Sequence, residues 1–262
     1  MVLLSFISSF FAPCGSKAPA GVFTAAHFLT SSLVFSVIAV ALYFTVRKPQ
    51  YVIRRIIRGI TAVIWVLEAG KTFLCFRNGN CSINETVPLY FCSIVLYAGL
   101  LSSFCRGRAR RMGDVFLSCG AVTGGAVFLL LPLSSFTVYP LLHFITLQSV
   151  VLHGGMVYMG LRLVLSGAVV LRHRDIFYYA PPVLGVSVCA LAVNLIWGSN
   201  LMFISRNYPN TPIELLYRCF PPPFFTVITV AGQLTLPFYM GLFLNRLLLR
   251  VKKPCKIEEK GY

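Results

Sequence analysis

Residues 87–111 read VPLYFCSIVLYAGLLSSFCRGRARR. Val87 to Phe104 carries no charge, and four arginines then fall within the six residues RGRARR. A bilayer needs about 20 apolar residues to be crossed by a helix. Arginine clusters that stop such runs collect on the cytoplasmic side. This stretch therefore reads as a membrane span with its C-terminal end in the cytoplasm.

The rest of the chain repeats the pattern. Of 262 residues 57% are hydrophobic and only 11% charged, with a mean hydropathy of +0.80. The charged share is less than half of that in a soluble domain, which excludes an ordinary globular protein. Net charge is +16, from 23 Lys and Arg against 7 Asp and Glu. The cations sit in short clusters between apolar runs and form no continuous basic face, so nucleic acid is not the partner. Membrane lipid is.

Seven spans are expected: about Val22–Val46, Gly59–Phe76, Val87–Phe104, Asp114–Leu133, one within Tyr139–Leu171, Phe177–Ser199 and Phe224–Leu248. The loops after spans one, three and five, with the C-terminal tail, hold 17 of the 23 cations; the opposite side holds Lys17, Lys71, Arg77, Arg206 and Arg218, and Arg162 lies inside span five. That bias puts the N-terminus outside and the C-terminus in the cytoplasm. The expected fold is all-α: one multi-pass domain over 1–262 in the cell membrane, with an interfacial segment over about 1–20 and a basic cytoplasmic tail over 249–262. Pro181 and Pro182 suit a first helical turn, and Pro237 a kink. Gly124 and Gly125 allow close helix approach. Nine cysteines, most within apolar runs, argue against a disulfide framework; Cys75 and Cys81 flank a polar loop and read as small hydrophobes rather than a pair.

Chemistry is sought among the polar groups inside these spans. Glu68 lies about 15 Å beyond Arg58 along a helix, near mid-membrane. There an ionisable group marks function by default, unless an i,i+3 pair with Lys71 satisfies it. Gln148, Gln233, Asn194, Asn200 and Asn245 read first as bonds between helices and second as pocket residues. Cys92 and His153 offer a thiol and an imidazole, the commonest nucleophile and base pairing. A membrane cysteine is more often inert packing, and a histidine more often a bond between helices. Cys92 sits about 20 Å from the inner surface counted from Arg106; His153 sits about 14 Å from it if Arg162 marks that surface, or about 28 Å if Arg172 and Arg174 do. The chain has no zinc-type Cys/His spacing, no glycine-rich phosphate loop, and no lysine in span seven to carry retinal, so neither a metal nor a cofactor is expected.

These residues, taken in order, resemble the YwaF family of bacterial integral membrane proteins, from His27 to the seventh span. That family has an acidic residue in the second helix and Pro-Leu-His-x-Cys opening the third, here Glu68 and Pro88, Leu89, Tyr90, Phe91 and Cys92. A histidine-glycine pair in the fifth helix is matched by His153 and Gly154. The Asn-Gly-Asn cluster ending the sixth, with its following proline, is matched by Asn194, Gly198, Asn200 and Pro209. Tyr90 stands where the pattern has histidine, and Leu201 where it more often has tyrosine. Distant eukaryotic relatives of that family look like seven-helix acyltransferases that remodel ether phospholipids. The resemblance thus implies Cys92 as acyl-accepting nucleophile and His153 as base, with Glu68, Asn194 and Asn200 lining the pocket; Gln148, from its place in span five, is the further candidate for substrate binding. The alternative class is a small-solute transporter or a receptor-like protein.

Overall fold

The computed structural model describes residues 9–79, 82–209 and 211–251. The start of the interfacial segment, Cys81, Cys255 and the basic tail beyond 251 lie outside them.

Among the described residues the regular structure is entirely helical. Its longer elements are α1 (Ala25–Thr45), α2 (Gln50–Arg77), α3 (Ile94–Phe104), α4 (Gly107–Leu130), α5 (Phe144–Leu165), α6 (Ile176–Trp197), α7 (Pro212–Cys219) and α8 (Pro222–Val251). Six of these are long and apolar enough to cross a membrane: α1, α2, α4, α5, α6 and α8. The third expected span differs. Its 11-residue helix α3 covers only about 16 Å, and residues 88–93 before it are non-helical, ending in a turn over 91–93. Cys92, within the span expected from Val87, consequently lies ahead of the helix. The turns bond to themselves, Leu89 N–H to Val87 O and Ser93 N–H to Tyr90 O, each at 2.9 Å. Irregular backbone is tolerated at such depth where protein covers it.

Two helices form the centre. The most apolar window of α4 is 72% buried and that of α5 61%, against 17–28% for α1, α2, α6 and α8. The outer helices turn large apolar side chains outward, among them Leu29, Tyr43, Val66, Phe177 and Leu195, as lipid-facing helices do. Helix α4 opens into a π-helical stretch over Leu117–Ala121, and its neighbours come closest there. A Cβ at Gly160 of α5 would lie 2.1 Å from Leu117 O, and one at Gly241 of α8 would lie 2.5 Å from Cys119 Cα. Gly125 makes the close approach expected of it, with a Cβ there 2.7 Å from His153 O.

The prolines sit deeper than expected. Pro181 and Pro182 are within α6, in its second turn, because the helix begins at Ile176 behind a turn over His173–Asp175. Pro237 lies inside α8 and has no N–H for Gln233 O. The Tyr179 hydroxyl of α6 donates to that carbonyl at 3.1 Å instead. At the other end of α6, Gly198 adopts φ +64°, the left-handed conformation that closes helices.

One end of the bundle collects the basic turns. Arg54 makes a two-pronged pair with Asp114 (Nη1–Oδ1 2.5 Å, Nη2–Oδ2 2.8 Å), and Ser102 Oγ donates to the same carboxylate at 2.6 Å. Arg111 grips Asp175 likewise, at 3.1 and 2.7 Å. Asn245 satisfies both Leu171 N–H and Val169 O. The opposite end is joined by neutral bonds: Ala20 N–H to Tyr139 O, Gly21 N–H to Phe136 O, and His27 Nε2 to Leu129 O. Residues 12–24 thus lie across that end in turns and not as a helix.

Candidate functional site

Glu68 projects from α2 into the bundle and is 4% exposed. Its Oε1 is 2.6 Å from Lys71 Nζ, one turn on, and its Oε2 accepts from Gln148 Nε2 of α5 at 3.0 Å. The carboxylate is therefore held by its own helix and by a second one. The i,i+3 pair with Lys71 weighed for Glu68 is present, and the Gln148 amide is a second partner from another helix. Thr72 Oγ1 and Thr86 O, 3.5 Å apart, tie α2 to the helical turn Ile83–Thr86. Glu85 in that turn is half-buried; burial raises its pKa above the ordinary carboxylate value, and the charge of Lys71 opposes the rise. Glu85 was not singled out from the sequence. As one of only seven acids in the chain, it could have been found by counting them.

Asn194 and Asn200 form a separate cluster at the end of α6. Asn194 Oδ1 accepts from Ser199 Oγ and Leu201 N–H, both at 2.7 Å, while its Nδ2 donates to Leu201 O and Ser205 Oγ. Asn200 Oδ1 accepts from Ser205 and Arg206 N–H, and its Nδ2 donates to Arg206 O. Both amides are spent on shaping residues 198–207. That loop carries consecutive left-handed residues other than glycine, Met202 (φ 56°) and Phe203 (φ 54°). Gln233 Nε2 pins Met202 O at 2.9 Å. Such strain persists only where the surroundings over-determine it, and it gathers at functional sites. Phe203 packs between Tyr90 and Tyr208, with ring centroids at 5.3 and 4.4 Å, so the strained loop touches the unwound segment holding Cys92. Asn84 Oδ1 accepts from Asn200 N–H and links the loop to the turn of Glu85.

His153 is mid-helix in α5. Its Nδ1–H donates to Ser149 O at 2.7 Å, which leaves Nε2 as the basic atom of the ring. The ring stacks on Phe128 of α4 with centroids 3.6 Å apart and 8° between planes. No hydrogen bond joins it to Cys92 among the described residues. The two reach the same patch of α4 by their neighbours: a Cβ at Gly124 would lie 3.2 Å from the Phe91 ring, and Gly125 abuts His153 O. The Arg162 guanidinium donates to Lys48 O at 3.1 Å, which ties it to the basic end and puts His153 about 14 Å from that end. The described residues contain no group of three or more His, Cys, Asp or Glu side chains placed to hold a metal.

A helical bundle with an apolar girdle, a basic end and polar groups buried between its helices defines a multi-pass integral membrane protein. Residues 22–242 match the model of the TMEM164 family, and the chain belongs to that family. The match shows a membrane protein family and does not itself name the YwaF family that the motifs resemble. No curated protein and no solved structure matches the chain.

Proposed function

We propose that the chain is a membrane-embedded, cysteine-dependent lipid acyltransferase or thioesterase. The observation that carries this reading is the His153 ring. With Nδ1–H committed to Ser149 O, Nε2 has no hydrogen-bond partner among the described residues and is the tautomer a general base requires. Cys92 supplies the nucleophile from a segment whose backbone is already unwound. In the step, Nε2 takes the thiol proton as Sγ forms a bond to an acyl ester carbonyl. The ester C–O bond breaks, the lysolipid oxygen leaves with the proton from His153, and the acyl group stays on sulfur as a thioester. Water or a second lipid hydroxyl then accepts it. Seven spans with the N-terminus outside are part of the same reading, with α3 and its turns as the third; single-cysteine variants at Ser82 and Arg108 should react with an impermeant thiol reagent from outside at Ser82 alone.

A lipid-like acyl electrophile should label Cys92 in the full chain in membranes. Cys92→Ser should abolish labelling at that site, and His153→Ala should slow it at least about 100-fold, the low end for loss of a general base. Unchanged labelling in His153→Ala makes the histidine structural. Unchanged membrane lipid composition in cells carrying Cys92→Ser removes the enzymatic reading.

A second reading, solute transport, is favoured by one feature: an unwound segment and a strained loop meet near the buried Glu68–Lys71–Gln148 group, as broken helices do in transporters. Glu68→Gln would then stop solute uptake into proteoliposomes while Cys92→Ser would not.

A further inference from the structure

The basic end of the bundle holds more cations than its structure uses. Asp114 and Asp175, the carboxylates described there, are each taken by one arginine, Arg54 and Arg111. Arg47, Lys48, Arg55 and Arg58, around the turn between α1 and α2, have no carboxylate partner among the described residues. Arg47 and Lys48 are exposed. Behind them lies Arg162, with no exposed surface. One of its nitrogens donates to Lys48 O, while Nε and Nη1 are buried without a partner. A buried guanidinium with unmet donors makes the wall behind the turn electropositive, and at low dielectric that field is weakly screened. Flanking the turn, Tyr43, Phe44 and Tyr51 stand exposed, and the Arg55 guanidinium lies 5.6 Å over the Tyr51 ring. Aromatic side chains beside cations at a span's end match the boundary between acyl chains and headgroups.

We propose that the turn between α1 and α2 is a binding site for an anionic phospholipid. Its phosphate sits against Arg47, Lys48 and Arg55, and its acyl chains lie along Tyr43, Phe44 and Tyr51. Arg162 contributes charge from behind without touching the lipid. The site does not depend on the acyl-transfer reading, because Cys92 is about 20 Å from this end.

The test uses the purified full chain in a zwitterionic detergent, with thermal stability followed as lipid is added. Dioleoylphosphatidylglycerol should raise Tm in a dose-dependent way that fades at high salt. Dioleoylphosphatidylcholine should leave Tm unchanged. The triple variant R47Q/K48Q/R55Q, which alters only the turn and the adjoining start of α2, should fold and lose roughly half or more of the shift, because each cation near an anionic surface adds to the attraction. Equal stabilisation by the phosphatidylcholine overturns the proposal, as does an undiminished shift in the triple variant. The same shift with inorganic phosphate at equal concentration also overturns it, because the site would then take a free anion.

Discussion

The two ends of this bundle are closed by different physics. At the basic end, charges meet in two-pronged pairs between helices: Arg54 with Asp114, and Arg111 with Asp175. At the opposite end, side chains bond to backbone carbonyls, as with His27 to Leu129 O and His143 Nε2 to Ala12 O. An ion pair loses nearly everything when one partner is neutralised, because the other is left as an uncompensated charge. A neutral bond loses less and is sensitive to protons instead of salt. The difference teaches that this fold tolerates substitution unevenly from one end to the other.

The largest effect is expected at Asp114. Asp114→Asn keeps the shape but leaves Arg54 facing an uncharged amide with Ser102 still in place. The loss should be about 3 kcal/mol, the lower end for a broken buried pair since Arg54 is partly exposed. Unfolding in mixed micelles measures it, and a loss near zero would make this end no more charge-dependent than the other.

The next effect is on the opposite end and depends on pH. His143 caps α5 by accepting from Ile145 N–H through Nδ1, while Nε2–H donates to Ala12 O. Burial lowers its pKa below the ordinary 6.5. Between the lowered value and 6.5 the unfolded chain binds more protons than the folded one, so this contribution is whole above 6.5 and is lost as pH falls through the lowered value. A proton on Nδ1 would also face the Ile145 N–H. Thermal melts across that range should show the acid loss in the wild type, and His143→Asn, a neutral cap, should flatten it. An unchanged slope in the variant assigns the titration elsewhere.

The smallest effect is at Arg218, which pairs with Glu214 one turn away on α7 and is largely exposed. Arg218→Ala should cost no more than about 0.5 kcal/mol. A larger loss would mean that exposed charge matters at this end too.

The sequence was legible where one helix suffices to explain it. The long apolar runs became α1, α2, α4, α5, α6 and α8, because a run of that length in lipid must satisfy its own backbone. It was less legible at 88–93, where an equally apolar run is unwound; apolarity reports burial and not conformation. Glu68 and Gln148, each singled out on its own span, bond to each other across 80 residues of sequence. Asn194 and Asn200 were expected at a pocket, and their amides hold a loop, which follows from partners within eleven residues that only the turn at Gly198 brings into range. Arg54 with Asp114, and Tyr179 with Gln233 O, are separated by 60 and 54 residues, and no local pattern announces them.

The burial of α4 bears on how the molecule is made. A chain synthesised from its N-terminus delivers α4 to the bilayer before α5 and α8, which later cover its π-helical stretch through Gly160 and Gly241. Until they arrive, Leu117 and Cys119 lack the two helices that lie against them in the finished bundle. The apolar character of α4 thus serves insertion first and packing afterwards, and its final neighbours arrive through glycines that ask no side chain to move aside.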